Sequence, residues 1–233
     1  MKNTPSFRSG AVAASMVAAA VLMLCSVILQ PEFPDTHRDR LAAIDMASTS
    51  AQVSALTFTL AQLPFLIAML GAAHLLRRRA PVLSALTAVF GLLGGFGHAV
   101  FGGVSLVMLS MAADGANRET HADVLSAVES GAGAPFMAMG LLGTVLGILM
   151  LAVGLGRSRI GPRWLPFLLG GFLLVEFVGT GLSEWASSLA GALYLSSLVT
   201  LAVVTRQSPL SEWTTPAEQT PGTAVQELTD TVR

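Results

Sequence analysis

The sequence predicts an all-α membrane protein, a polytopic bundle of six transmembrane helices with both ends in the cytoplasm. Only 12% of the 233 residues are charged, whereas a soluble domain carries about a quarter. Long stretches contain no charged side chain at all, and the basic residues cluster between them. These features are typical of a chain that crosses a lipid bilayer several times.

Six apolar stretches are each long enough to cross the hydrocarbon layer, which needs about 20 residues of helix. Five of them carry no charge, and one contains a single acid, Glu176. Helices are predicted throughout, because lipid cannot hydrogen-bond an open sheet edge and the stretches lack the alternation of barrel strands. The predicted spans, within a membrane domain of residues 9–205, are 9–30, 51–76, 82–111, 133–156, 164–182 and 186–205.

The placement of Lys and Arg predicts the orientation of the bundle. Ten basic residues lie on the side of the N-terminus, and only Arg38, Arg40 and Arg118 lie on the other side. Because positive charge is retained inside, residues 1–8 and the tail 206–233 are expected in the cytoplasm. The preference for Arg over Lys is typical of GC-rich bacterial genomes and indicates the bacterial inner membrane. The tail is rich in Pro, Thr and Glu and is predicted to be disordered.

Two segments on the outer side share the pattern T-H-x-D-x-L-[AS]-A-[IV]-[DE]-x-[AG], at residues 36–47 and 120–131. We expect surface helices at about 36–47 and 120–130, each capped by its Thr and by the acid three residues later. Each segment precedes an even-numbered span. The match indicates a bundle built from repeated two-helix hairpins, with a chance match as the alternative.

Glu176 is the first candidate functional residue, because a carboxylate inside the membrane is costly unless it is paired, protonated or hydrated. Thr180 and Ser183 follow at i+4 and i+7 and extend a polar stripe on the same helix face. The stripe favours a proton or cation site, or the floor of a cavity open to the outside. The alternatives are a protonated glutamate bonded to a neighbouring helix and a side chain that reaches the outer interface.

His98, near the middle of the third span, is the second candidate. Glycines on its helix face allow a neighbouring helix to approach, which would bury the imidazole and require a polar partner. Glu176 is the one acid within the predicted spans, at a depth that differs by about 6 Å, so we consider a contact between His98 and Glu176. The alternative partner is Gln62 of the second span, or a Ser or Thr.

Small residues on the third and fourth spans predict close helix packing, because they let two backbones approach each other. Faces of this kind also dock partner proteins. The glycines predicted to form them are Gly91, Gly95, Gly102, Gly143 and Gly147.

The outer segments supply a possible metal-ligand set of His37, Asp39, His121 and Asp123, since imidazole and carboxylate are ordinary zinc ligands. Their spacing is looser than that of metal motifs, so we favour helix caps and solvated histidines and predict no cofactor.

A net charge of −1 gives no indication of nucleic acid binding. The sequence also lacks the nucleotide-binding and hydrolase motifs that would indicate an enzyme.

The leading hypothesis is therefore a non-enzymatic membrane protein, embedded in the lipid bilayer, that binds or moves a small solute or proton through a cavity near Glu176. The alternative is a structural or accessory subunit that docks a protein partner or a second copy through its glycine-rich faces.

The layout of the chain resembles an uncharacterised actinobacterial family of small six-span proteins that carry a domain of unknown function. The features that carry the resemblance are the long first outer loop, the arginine cluster after the second span, and an inner loop with Arg157 and Arg159 followed by Pro162, Arg163 and Trp164. The resemblance covers residues 9–205 and implies a fold and a location. It assigns no functional residue.

Overall fold

The computed structural model describes residues 4–32, 34–183 and 185–214 of the chain. Within this part of the chain the structure is all-α. Short 3-10 turns lie at Gly115–Asn117, Gly179–Gly181 and Leu210–Glu212. The α-helices are α1 Thr4–Leu29, α2 His37–Met46, α3 Ser48–Leu76, α4 Pro81–Ala113, α5 Arg118–Ser130, α6 Ala134–Ser158, α7 Leu165–Phe177 and α8 Trp185–Gln207.

Five of these helices are long and apolar enough to cross a membrane, namely α1, α3, α4, α6 and α8. They coincide with five of the six predicted spans. The chain is thus a helical bundle with several helices suited to a multi-pass membrane protein.

The fifth predicted span, 164–182, differs from the structure. The α-helix there covers only Leu165–Phe177, 13 residues, which reach about 20 Å of the roughly 30 Å hydrocarbon layer. Val178 ends the helix, and a 3-10 turn follows at Gly179–Gly181. Glycine is a poor helix former, and two glycines in three residues account for the early end.

Six helices form a closed ring in the order α1, α3, α4, α6, α7, α8, with α8 packed back against α1. The contact between α4 and α6 is the most extensive. The short helices α2 and α5 pack on each other at one end of the ring. Arg40 of α2 lies 3.3 Å from Glu129 of α5, and Arg118 of α5 lies 2.8 Å from Asp45 of α2.

The glycines predicted to pack lie at helix contacts. A Cβ added to Gly91 would lie 2.7 Å from the Cβ of Met69 on α3. The α4–α6 contact also depends on glycines that the sequence analysis did not select: a Cβ at Gly94 would lie 2.6 Å from the backbone nitrogen of Thr144 on α6. The predicted glycines comprise Gly91, Gly95 and Gly102 facing α3, and Gly143 and Gly147 facing α4.

The two repeated segments are both helical, but their N-termini differ. Thr36 caps α2 as predicted, accepting a hydrogen bond from the backbone N–H of Asp39 at 3.1 Å. The capping box predicted at Thr120 is wrong, because α5 begins two residues earlier at Arg118, after Asn117. The preceding 3-10 turn runs directly into α5, and the Asn117 amide instead donates to Asp114 at 3.0 Å.

The described structure continues past the predicted boundary at residue 206, as far as residue 214. Helix α8 continues to Gln207, and the following turn returns Trp213 to the bundle, where its side chain is only 5% exposed. The indole stacks on His74 with ring centroids 4.7 Å apart, and Arg8 donates to the Trp213 carbonyl at 2.9 Å. The remainder of the predicted disordered tail, 215–233, and residues 1–3 lie outside the described residues.

Candidate functional site

A cavity of about 150 Å³, which we call the Glu176 cavity, lies among the ring helices. Each of the six ring helices contributes at least one residue to the lining of this cavity. Glu176, His98 and Gln62, which the sequence analysis selected separately, all line it. The other lining residues are Met23, Val27, Phe58, Phe65, Thr144, Phe172, Phe177, Gly191 and Tyr194.

Glu176 belongs to the last turn of α7, where the helix is about to end, and its side chain is half-buried. No described residue forms a hydrogen bond or ion pair with its carboxylate. Among the residues that line the cavity, Glu176 is the only acid, and there is no Lys or Arg. The site therefore holds a single formal charge, without a counter-ion from the described residues.

Thr180 does not take part in the cavity. Its hydroxyl donates to the backbone carbonyl of Glu176 at 2.6 Å, and its side chain is exposed. The predicted polar stripe therefore stops at the end of α7, because the turn at Gly179–Gly181 breaks the helical register on which the i+4 spacing depends.

His98 is held between two helices. Its Nδ1 lies 3.2 Å from the hydroxyl of Thr144 on α6, and Phe58 of α3 meets the imidazole edge to face at 5.8 Å between ring centroids. A Cβ at Gly140 would lie 3.2 Å from His98 Cδ2, so the missing side chain makes room for the ring. Of the partners considered from the sequence, the structure shows a threonine.

His98 and Glu176 share the cavity but form no direct hydrogen bond or ion pair in the described structure. Gln62 is buried, and its Nε2 donates to the Phe58 carbonyl at 2.8 Å. The amide oxygen of Gln62 is thus left as an acceptor beside the cavity, since the described residues supply it with no donor. The three polar groups surround a common space rather than bonding one another.

A second, larger cavity of about 540 Å³ lies beside α2 and α5, and we call it the α2–α5 cavity. Phe58 and His98 line both cavities. The far side of the α2–α5 cavity is polar, with Gln30, Arg40 and Glu129 among its lining residues. Because the same two rings face both spaces, the Phe58–His98 pair stands between them.

The possible metal-ligand set is not assembled. Across the described residues, no group of three or more His, Cys, Asp or Glu side chains is arranged to hold a metal ion. His37 lies 3.6 Å from Glu129, and His121 lies 3.2 Å from Asp114. Asp39 accepts a hydrogen bond from the Thr36 hydroxyl at 2.7 Å, as a helix cap. Asp123 is exposed.

The aromatic wall of the Glu176 cavity was not predicted from the sequence. Phe172 of α7 and Tyr194 of α8 are buried side by side, with ring centroids 5.0 Å apart and planes tilted by 44°. Tyr194 is the chain's only tyrosine, and this isolated polar aromatic within an apolar span was the one available signal. Phenylalanines in apolar helices are ordinary, so their convergence was not visible from spacing.

Comparison with known proteins returned no matching family model, no matching curated protein and no matching solved structure.

Proposed function

We propose that the chain is a membrane protein that binds a small solute or a proton in the Glu176 cavity and moves it between that cavity and the α2–α5 cavity. The observation that carries this proposal is the unpaired carboxylate of Glu176 in a cavity lined by all six ring helices. Even a half-buried acid is expensive inside a membrane protein when no residue pairs with it, and such residues commonly bind ions or protons.

The route past Phe58 and His98 supports movement as well as binding. Both side chains line both cavities, so rotation of the Phe58 ring, or of the His98 ring once it leaves Thr144, would change the passage between them. Aromatic rings reorient without breaking the backbone hydrogen bonds of their helices. The larger cavity opens beside polar groups of α2 and α5, where a solute would enter from water.

We also propose six crossings of a bacterial inner membrane with both termini in the cytoplasm. Arg79 donates to the Ser158 carbonyl at 3.0 Å, and Arg206 donates to the Ser6 carbonyl at 3.3 Å, so two arginines connect the ends of four helices, α1, α3, α6 and α8, at one end of the bundle. The helices α2 and α5 lie at the other end. The short fifth crossing would be Leu165–Gly181, which fits where the bilayer is locally thinned.

Cysteine labelling tests this orientation. In a Cys25→Ser background, Arg38→Cys should react with a membrane-impermeant maleimide added to intact cells, and Arg78→Cys should react only after the membrane is opened. Both positions are exposed, with 67% and 53% of the side chain accessible. The reverse labelling pattern would contradict the proposed topology.

The alternative of an accessory subunit loses its main support, because the glycine faces that suggested it are filled by neighbouring helices of the same chain.

The binding proposal is tested by a thermal-shift screen of small solutes and of pH on purified protein. We expect wild type to be stabilised by at least one condition that leaves Glu176→Gln unaffected. Glu119→Gln, an exposed acid on α5, is the matched control. Equal responses from all three proteins would contradict the proposal.

A further inference from the structure

We infer that the ligand of the Glu176 cavity is a small organic cation, a protonated amine or a quaternary ammonium ion. This inference rests on the proposed function, and it adds the chemical class of the ligand. Three properties of the cavity carry it: its charge, the nature of its walls and its size.

The charge of the cavity favours a cation. Glu176 is its only acid, no Lys or Arg lines it, and no described residue pairs with the carboxylate. A cationic ligand would supply the missing counter-charge at low dielectric, where an ion pair is far stronger than in water. An anion would meet the carboxylate with no basic residue to compensate.

The walls favour an organic cation over a metal ion. Five aromatic side chains line the cavity: Phe58, Phe65, Phe172, Phe177 and Tyr194. The faces of such rings attract ammonium groups within about 6 Å, and sites for quaternary ammonium ligands are commonly built this way. A small inorganic cation requires several oxygen ligands instead. The side-chain oxygens around this cavity belong to Glu176, Gln62, Thr144 and Tyr194, which lie on four different helices.

The polar groups of the cavity suit a protonated amine. The Gln62 amide donates one of its two N–H groups to the Phe58 carbonyl at 2.8 Å. Its oxygen can accept a hydrogen bond from an ammonium N–H. The phenol of Tyr194 offers a second oxygen. His98 is already engaged with Thr144 at 3.2 Å. The cavity thus offers an ammonium group one carboxylate and the oxygens of Gln62 and Tyr194 as acceptors.

The size of the cavity limits the ligand. A volume of about 150 Å³ corresponds to roughly one benzene-sized molecule, since an engineered protein cavity of that volume holds benzene. A four- or five-carbon amine fits, and a drug-sized cation requires the larger α2–α5 cavity of about 540 Å³. The Glu176 cavity should therefore select small cations.

The test is calorimetric titration of the full chain in lipid nanodiscs at constant ionic strength. Tetramethylammonium and isobutylammonium are the cationic probes, and tert-butanol and isobutanol are neutral probes of matched shape. We expect saturable binding of at least one cation, with affinity at least about tenfold above its neutral counterpart, because only the cation pairs with Glu176.

Two substitutions and two matched controls assign the binding to this cavity. Glu176→Gln should weaken cation binding by about tenfold or more, and Phe172→Leu by about two- to fivefold, since it removes one ring. Glu119→Gln and Phe167→Leu repeat the same exchanges at exposed positions; Phe167, on the same helix, is 80% exposed. Both controls should bind as wild type does.

The outcomes separate this inference from the proposed function. Neutral probes that bind as tightly as the cations, or a proton response that requires Glu176 without any cation binding, would overturn the cation class and leave the proposed function standing. If neither solutes nor protons distinguish Glu176→Gln from wild type, both are overturned. If Glu176→Gln fails to fold, the comparison of Phe172→Leu with Phe167→Leu decides. An unchanged cation affinity in Phe172→Leu would then overturn the inference.

Discussion

The imidazole Nδ1 of His98 on α4 lies 3.2 Å from the hydroxyl of Thr144 on α6. This contact crosses the most extensive helix interface of the bundle, and it fixes a ring that lines both cavities. Thr144 of α6 thus sets the orientation of the imidazole, and Phe58 of α3 packs edge to face against the same ring.

Substitution of Thr144 tests this contact. Thr144→Val keeps the shape of the side chain and removes the hydroxyl, so we expect a loss of about 1 kcal/mol in the free energy of unfolding in mixed micelles. Thr200→Val is the control, because that exposed hydroxyl bonds only to the Ser196 carbonyl of its own helix. Equal effects of the two substitutions would show that the His98 contact contributes nothing.

The α4–α6 contact should not tolerate a methyl group. A Cβ at Gly97 would lie 2.5 Å from the Phe136 carbonyl oxygen, and backbone cannot move aside as a flexible side chain can. We expect Gly97→Ala to cost about 3 kcal/mol of unfolding free energy. Gly103→Ala, six residues along the same helix, has nothing within 4 Å and should gain about 0.5 kcal/mol from helix propensity. Similar unfolding free energies for the two variants would argue against this close contact.

Trp213 should stabilise the arginine-rich end of the bundle. Its indole stacks on His74 and donates to Ser208 at 2.7 Å. Trp213→Ala should lower the free energy of unfolding by about 3–5 kcal/mol, as for other buried aromatic side chains. Trp185→Ala removes an indole that is 82% exposed, and its effect should be about 0.5 kcal/mol or less. If both variants unfold like wild type, the tail does not pack as described.

Asp114 should show a pH effect outside the membrane. Hydrogen bonds from Asn117 and then from His121 hold the pKa of this carboxyl below its ordinary value of 3.8. A lowered pKa means that the folded state binds the proton less tightly than the unfolded state, so the stabilisation is complete above pH 3.8 and is lost as the pH falls through the lower, folded-state pKa. Nuclear magnetic resonance should show the Asp114 pKa rising in Asn117→Ala. An unchanged pKa would mean that the amide does not stabilise the carboxylate.

Helix positions were predictable because lipid imposes a simple rule on sequence: a span must be long and nearly free of charge. Five helices follow that rule, whereas the two short helices α2 and α5 are charged and were predicted from the sequence pattern that they share. The end of α7 was not predictable in the same way, since Val178 and Gly179 are as apolar as their neighbours and only local backbone propensity stops the helix there.

The candidate site was predictable residue by residue but not as a cavity. Glu176, His98 and Gln62 stand out because polar groups are rare in apolar spans. Their grouping around one space depends on the order of helices in the ring, which periodicity does not encode. The aromatic wall of Phe172 and Tyr194 arises only when α7 meets α8, so the single tyrosine was the one sign of it within either helix.

The bond from Arg8 to the Trp213 carbonyl joins positions 205 residues apart in the chain. Trp213 follows all eight described helices in the chain, so it is made after them. Until α8 has been made, α1 lacks the neighbour that packs against one of its flanks and closes the ring. A chain cut before α8 should therefore expose that flank of α1, so closure of the ring is a late step in the assembly of the bundle.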